Sequence, residues 1–194
     1  MSIIRSVCVF CGSRPGDEPI YVEEARRLGA LFALAGVTLV YGGGGMGLMG
    51  AVADGALDAG GHVIGVIPDF LLKAEAGHGG VSEPVVVATM HERKMIMFER
   101  ADAFVVLPGG IGTLEELFEI MSWRTLALHD KPMVMLNTAG YWTPLLDLIE
   151  RVIGRRFASA NVRDSIRFVD SATDVLPALR AMPRGSLMKP LDRT

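Results

Sequence analysis

Short runs rich in Val and Ile recur along this chain, uniformly apolar rather than alternating, with amphipathic helical segments between them. A strand with no polar side has to be covered on both faces. Where such strands alternate with helices, that requires a parallel sheet clad by helices on both sides. The runs at 3–10, 37–41, 62–67, 85–88, 103–107 and 133–136 read as strands, with another near 166–169. The segments at 21–35, 48–59, 91–101, 114–128, 143–153 and 172–181 read as helices. The expectation is a single α/β domain over 1–182 and a polar tail over 183–194.

Composition narrows the function classes. The 194 residues are the length of one ordinary domain, and 50% hydrophobic content supplies its core. The 23 glycines follow no triplet period, which excludes a collagen-like chain, and the apolar fraction excludes a wholly disordered one. A formal charge of −3 gives no basic footprint for nucleic acid. The longest apolar stretch, 30–40, is about half of the ~20 residues a membrane helix needs, and Gly36 interrupts it, so no membrane partner is expected. The first residues lack the continuous apolar region and cleavage site of a secretion signal, making the cytoplasm the expected compartment.

Local signals mark several boundaries. Asp17 is placed to cap the first helix, with Pro19 in its first turn and Gly36 at its stop. Thr89-Met-His-Glu92 reads as a capping box, and Thr113-Leu-Glu-Glu116 as a second one. Cys8 and Cys11 form a C-x-x-C, but in a strand positions i and i+3 point to opposite faces. They read as buried strand cysteines rather than a redox pair or a zinc site.

In an open parallel sheet the residues just after each strand meet the ligand. After the second strand comes Gly42-Gly43-Gly44-Gly45-Met46-Gly47-Leu48-Met49-Gly50, a formal but weak dinucleotide fingerprint that also offers bare amides for an anion. After the fifth comes Pro108-Gly109-Gly110-Ile111-Gly112-Thr113-Leu114-Glu115-Glu116, a phosphate cradle by composition without the G-K-[ST] ending of a triphosphate loop. Arg93 and Lys94 fall in the first turn of a helix, where the dipole disfavours cations, so an anionic ligand or a carboxylate such as Glu92, Glu99 or Asp102 is their expected partner. Glu116 is explained equally by capping and by chemistry. No metal-ligating cluster stands out.

At these residues the sequence resembles a known family. Pro108-Gly-Gly-Ile-Gly-Thr-Leu-Glu-Glu116 resembles the P-G-G-x-G-T-x-x-E motif of the Lonely Guy (LOG) family, and Met90-His-Glu-Arg-Lys94 its M-H-x-R-K motif. Val7–Ser13, Tyr41–Gly44, Gly47–Gly50, Ile64–Pro68 and His129–Pro132 are similar to further stretches, so the resemblance runs over 7–157. It implies a Rossmann-like three-layer fold with a central parallel sheet, working as a homodimer. The implied activity is cytokinin riboside 5′-monophosphate phosphoribohydrolase: hydrolysis of the N-glycosidic bond of an N6-modified AMP, with no cofactor and no metal. It also implies Arg93 and Glu116 as the reactive pair. Expected substrate contacts are Glu75, Lys94, Gly109, Gly110, Ile111, Gly112, Thr113, Leu114, Glu115, Ser122, Gly43 and Gly44. Ser122 stands where relatives often carry Thr, and His78-Gly-Gly80 departs from them. The competing readings are a nucleotide or molybdenum-cofactor carrier without chemistry, and an NAD(P)-dependent oxidoreductase resting on Gly45, Gly47 and Gly50.

Overall fold

The computed structural model describes residues 3–72 and 76–183. Seven strands form one fully parallel sheet: β1 (Ser6–Phe10), β2 (Thr38–Tyr41), β3 (Val63–Pro68), β4 (Glu83–Val87), β5 (Ala103–Val106), β6 (Met133–Leu136) and β7 (Ile166–Val169). Their spatial order is β4-β3-β2-β1-β5-β6-β7. The chain therefore builds outward from β1 in one direction, then returns to place β5 on its other side. The order reverses between β1 and β5, and the carboxyl ends of those two strands diverge into a crevice.

The period of two along each strand sorts the core into two layers. Val7 and Val9 join Leu39, Tyr41, Val105 and Val134 in a cluster under α1 (Pro19–Leu34), α2 (Gly47–Asp58) and α7 (Ala172–Ala181). Cys8 and Phe10 join Val40, Phe104, Met133 and Met135 in the cluster under α3 (Met90–Glu99), α4 (Ile111–Thr125) and α5 (Thr143–Gly154), with the short α6 (Asn161–Asp164) beside it. Cys8 and Cys11 fall in different clusters, on opposite faces of the sheet, as the strand geometry demands. Within the first layer, Glu24 of α1, a buried carboxylate, accepts the Ala172 N–H opening α7 at 2.6 Å.

Several boundaries differ from the sequence reading. The first strand starts at Ser6, and Ile3 is exposed. The cap position of α1 is Glu18, not Asp17, no side chain caps that helix, and Pro19 opens it. Helix α4 begins at Ile111, capped by extended Gly110, so Thr113 lies inside the first turn and the second capping box does not form. The Thr89–Glu92 box does form, with both reciprocal bonds present. Edge strand β4 leaves Pro84 and Val86 facing out, since it has a neighbour on one side only. Of the polar tail, 184–194 lie outside the described residues.

The stretch His129-Asp-Lys-Pro132 is scaffold. His129 Nε2 meets the Ile120 carbonyl at 2.9 Å, and its Nδ1 accepts the Lys131 N–H at 3.2 Å. The Arg124 guanidinium donates to the Lys131 carbonyl, and Lys131 Nζ donates to the Phe98 carbonyl while lying 3.9 Å over the Phe98 ring. These contacts bind the end of α4 to α3 and to the start of β6.

Candidate active site

A cavity of about 580 Å³ opens at the β1/β5 crevice, within the ~300–1,000 Å³ range of small-molecule sites. The loops after β1 and β5 and the starts of α3 and α4 line it, with further residues from the segments after β2, β3 and β6 and from α1 and α2.

Arg93 is the cation at its floor. The capping box fixes the start of α3, and Arg93, one position beyond the box, is buried. Its Nε donates to the Val66 carbonyl at 3.1 Å and one terminal nitrogen to the Gly42 carbonyl at 2.7 Å. The guanidinium is thus pinned across the carboxyl ends of β2 and β3. Glu92 and Asp102 engage backbone amides, those of Ala88 and Thr89 and those of Arg5 and Ser6 respectively.

Helix α4 brings Gly109, Gly110, Ile111, Gly112, Thr113, Glu115 and Glu116 to the same cavity. Its first intrahelical bond runs from Leu114 N–H to the Gly110 carbonyl at 3.1 Å. The N–H groups of Ile111, Gly112 and Thr113 have no acceptor among the described residues, so the positive end of the helix dipole is presented to the cavity. Because α4 starts early, Glu116 sits in its second turn, half-buried and on the cavity wall. Burial, and after it the negative charge of Glu116, push the Cys8 thiol well above its ordinary pKa, while Lys131 and Arg93 oppose the rise. Both site charges therefore act on one thiol buried in β1.

Other expected residues sit elsewhere. Lys94 is not on the cavity wall; its ammonium donates to Glu115 at 2.6 Å and Glu119 at 3.0 Å, tying α3 to α4. Burial works to lower its pKa, but the bonds from Glu115 and Glu119 outweigh that and hold it above the usual lysine value. Leu114 packs against the core. Ser122 lies farther along α4, exposed, its hydroxyl donating to the Phe118 carbonyl. Glu75 lies outside the described residues.

The loop after β2 differs from the reading of it as an anion site. Leu48 and Met49 N–H, the second and third amides of α2, donate to the Gly12 carbonyl at 3.0 and 3.3 Å. Gly43 and Gly44 are not on the cavity wall: the Gly43 carbonyl accepts the His78 N–H, and Gly44 pairs with Gly77. Of the glycines in this run Gly42 lines the cavity, beside Leu48 and Met49, and a Cβ added to it would lie 2.2 Å from the Arg93 guanidinium.

Ser13 and Arg14 after β1, Tyr21 of α1 and Tyr141 ahead of α5 also line the cavity and were missed. The turn sequence Gly12-Ser-Arg-Pro-Gly16 directly after the first strand was the signal for two of them. Among the described residues no group of His, Cys, Asp and Glu is placed to hold a metal ion, and no helix is long and apolar enough to cross a membrane.

A family model described as "Possible lysine decarboxylase" matches residues 49–179. The cytokinin riboside 5′-monophosphate phosphoribohydrolase of Rhodococcoides fascians is 44% identical over 178 residues, covering 91% of this chain and 90% of that one. A homologue of the same name from Arabidopsis thaliana is 44% identical over 173 residues, covering 89% and 80%. Among solved structures, the molybdenum cofactor carrier protein of Chlamydomonas reinhardtii superposes with a TM-score of 0.70 at 20% identity, covering 91% of this chain and 96% of that one. The molybdenum cofactor binding protein of Rippkaea orientalis gives 0.68 at 22%, covering 91% and 95%. At that identity the two structures establish the shared Rossmann-like fold.

Proposed function

This chain belongs to the LOG family of cytokinin riboside 5′-monophosphate phosphoribohydrolases, and from that premise we propose that it hydrolyses the N-glycosidic bond of N6-modified AMP to free base and ribose 5-phosphate. The observation that carries the reading is the meeting, on one cavity wall, of the three open amides of α4 with Arg93 and Glu116.

The chemistry follows from that placement. The 5′-phosphate binds the amides of Ile111, Gly112 and Thr113, which supply aligned donors and the helix dipole without a side-chain charge. Anchored there, the ribose lies within reach of Glu116, and the base lies against the apolar wall that includes Met49, Leu71 and Met97. As the C1′–N9 bond breaks, its electron pair goes to the purine and positive charge develops on the ribose. Glu116 stabilises that charge and orients the water that adds to C1′. Arg93, held rigid by two carbonyls, eases negative charge on the leaving purine. The purine nitrogen takes up a proton, and water is the only co-substrate. Among the described residues no lysine lines the cavity to carry a pyridoxal cofactor.

We also propose a cytoplasmic homodimer that acts on nucleotides, with no nucleic-acid or membrane partner. Ile111 and Phe118 on α4, and Leu126 and Leu128 just past its end, are exposed apolar residues of the kind a second copy covers. Ser122 and the Lys94–Glu115 pair lie on or beside that helix, so a second copy packed there would bring them near a shared site.

The test is chromatography after incubating the protein with AMP and isopentenyl-AMP. Released base and ribose 5-phosphate, absent with Glu116→Gln, is the expected result. Saturable nucleotide binding with no release from either substrate would replace this reading with that of a carrier.

A further inference from the structure

The segment joining β6 to α5 holds a backbone that alanine rarely adopts. Ala139 has φ 53 and ψ 24, and Gly140 follows at φ 75. A left-handed residue bearing a Cβ is disfavoured and persists where surrounding contacts over-determine it. Here the Asn137 side chain accepts the Trp142 N–H at 2.7 Å, the Gly140 N–H donates to the Asn137 carbonyl at 2.9 Å, and the Trp142 ring is buried. This turn presents Tyr141 at the cavity wall. Its ring meets Tyr21 edge-on with centroids 5.8 Å apart, and its hydroxyl donates to the Gly109 carbonyl at 2.6 Å.

The Gly109 carbonyl stands four residues before Thr113 and is the acceptor α4 would use if it wound back by one residue. With that acceptor engaged by Tyr141, the helix opens one residue later, at Leu114 on Gly110. The crowding is close: a Cβ on Gly109 would lie 2.1 Å from Thr113 Oγ1.

We propose that Tyr141 is a positioning residue for anion binding. By occupying the Gly109 carbonyl it keeps the Thr113 N–H from closing onto its own chain and satisfies a lone pair that would repel an anion at the α4 N-terminus. The inference rests on the phosphate-binding role given to α4 above, and it makes Tyr141 a determinant of preference for phosphorylated over unphosphorylated nucleosides.

Tyr141→Phe keeps the ring and deletes the hydroxyl. The KM for AMP and the Kd for inorganic phosphate are expected to rise together by about ten-fold, the worth of one charge-assisted hydrogen bond. Meanwhile kcat stays within about two-fold and any cleavage of unphosphorylated nucleoside is unchanged. Hydrogen exchange at the Thr113 amide gives a second readout. In the wild type it slows only when inorganic phosphate is added; in Tyr141→Phe it is already slow without phosphate. Unchanged phosphate affinity in the variant, a loss confined to kcat, or no phosphate binding by the wild type would each overturn the proposal. Failure of the wild type to release base overturns the hydrolase reading instead, and the phosphate titration still decides the role of Tyr141.

Discussion

Two glycine-rich loops stand side by side at the top of this sheet, and they do opposite things. The loop after β2 is closed on itself and its neighbours: Leu48 and Met49 in the first turn of its helix donate to Gly12, Gly43 and Gly45 bond to the 76–78 segment, and Gly42 lends its carbonyl to Arg93. The loop after β5 leaves the first three amides of its helix without acceptors among the described residues, and its Gly109 carbonyl is held by Tyr141. Glycine serves close backbone approach in the first and ligand access in the second. Both loops are glycine-rich; the difference is whether another part of the chain supplies acceptors to the helix start.

That contrast makes graded predictions. The largest effect is expected at the open loop's carboxylate. Glu116→Gln should lower kcat for AMP cleavage by about 10²–10⁴-fold, the span of a general acid–base group, with an unchanged urea midpoint. Full activity in the folded variant would remove Glu116 from the mechanism. Next comes the closed loop. Gly47 has φ +59, and an added Cβ would lie 2.4 Å from the Arg14 nitrogen, so Gly47→Ala should destabilise by about 1–3 kcal/mol in urea unfolding, with near-normal activity per folded molecule.

Gly112 reverses that pattern. A Cβ there meets nothing within 4 Å and the residue is helical, so Gly112→Ala should hold or raise stability by up to ~1 kcal/mol. The added methyl stands beside the open amides, so the KM for AMP should rise. A Gly112→Ala protein that is destabilised, or a Gly47→Ala protein that is stable but binds nucleotide poorly, would erase the distinction between the loops.

The smallest effect belongs to neither loop. Burial lowers the His129 pKa, with the charges of Arg124 and Lys131 adding to it and the Ile120 bond opposing. The unfolded chain therefore takes up a proton near pH ~6.5 that the folded protein refuses until lower pH, so stability is full above that value and declines as pH falls below it. Urea midpoints at pH 7.5 and 5.5 should show the decline, and His129→Gln should flatten it without altering the relative KM of the two loop variants.

Much of this was legible from local pattern. The six long apolar runs became strands, Thr89 and Glu92 closed their box, and Gly36 ended its helix at φ +66. These depend on residues a few positions apart, where rotamer and backbone preferences act directly. The Thr113–Glu116 box misled because Gly110, extended, starts the helix three residues earlier. Tyr141 gave no signal, since its partner Gly109 is remote in sequence.

The sequence by itself determined the alternation of strands and helices, the parallel sheet it requires, and the motif residues Arg93, Gly109–Thr113 and Glu116 on which the family resemblance rests. Only the tertiary structure decided which helix start is open to a ligand. Both glycine runs expose amides when read locally. The Gly12 carbonyl that closes α2 and the Tyr141 hydroxyl that keeps α4 open come from distant segments, and those segments meet only where β1 and β5 part.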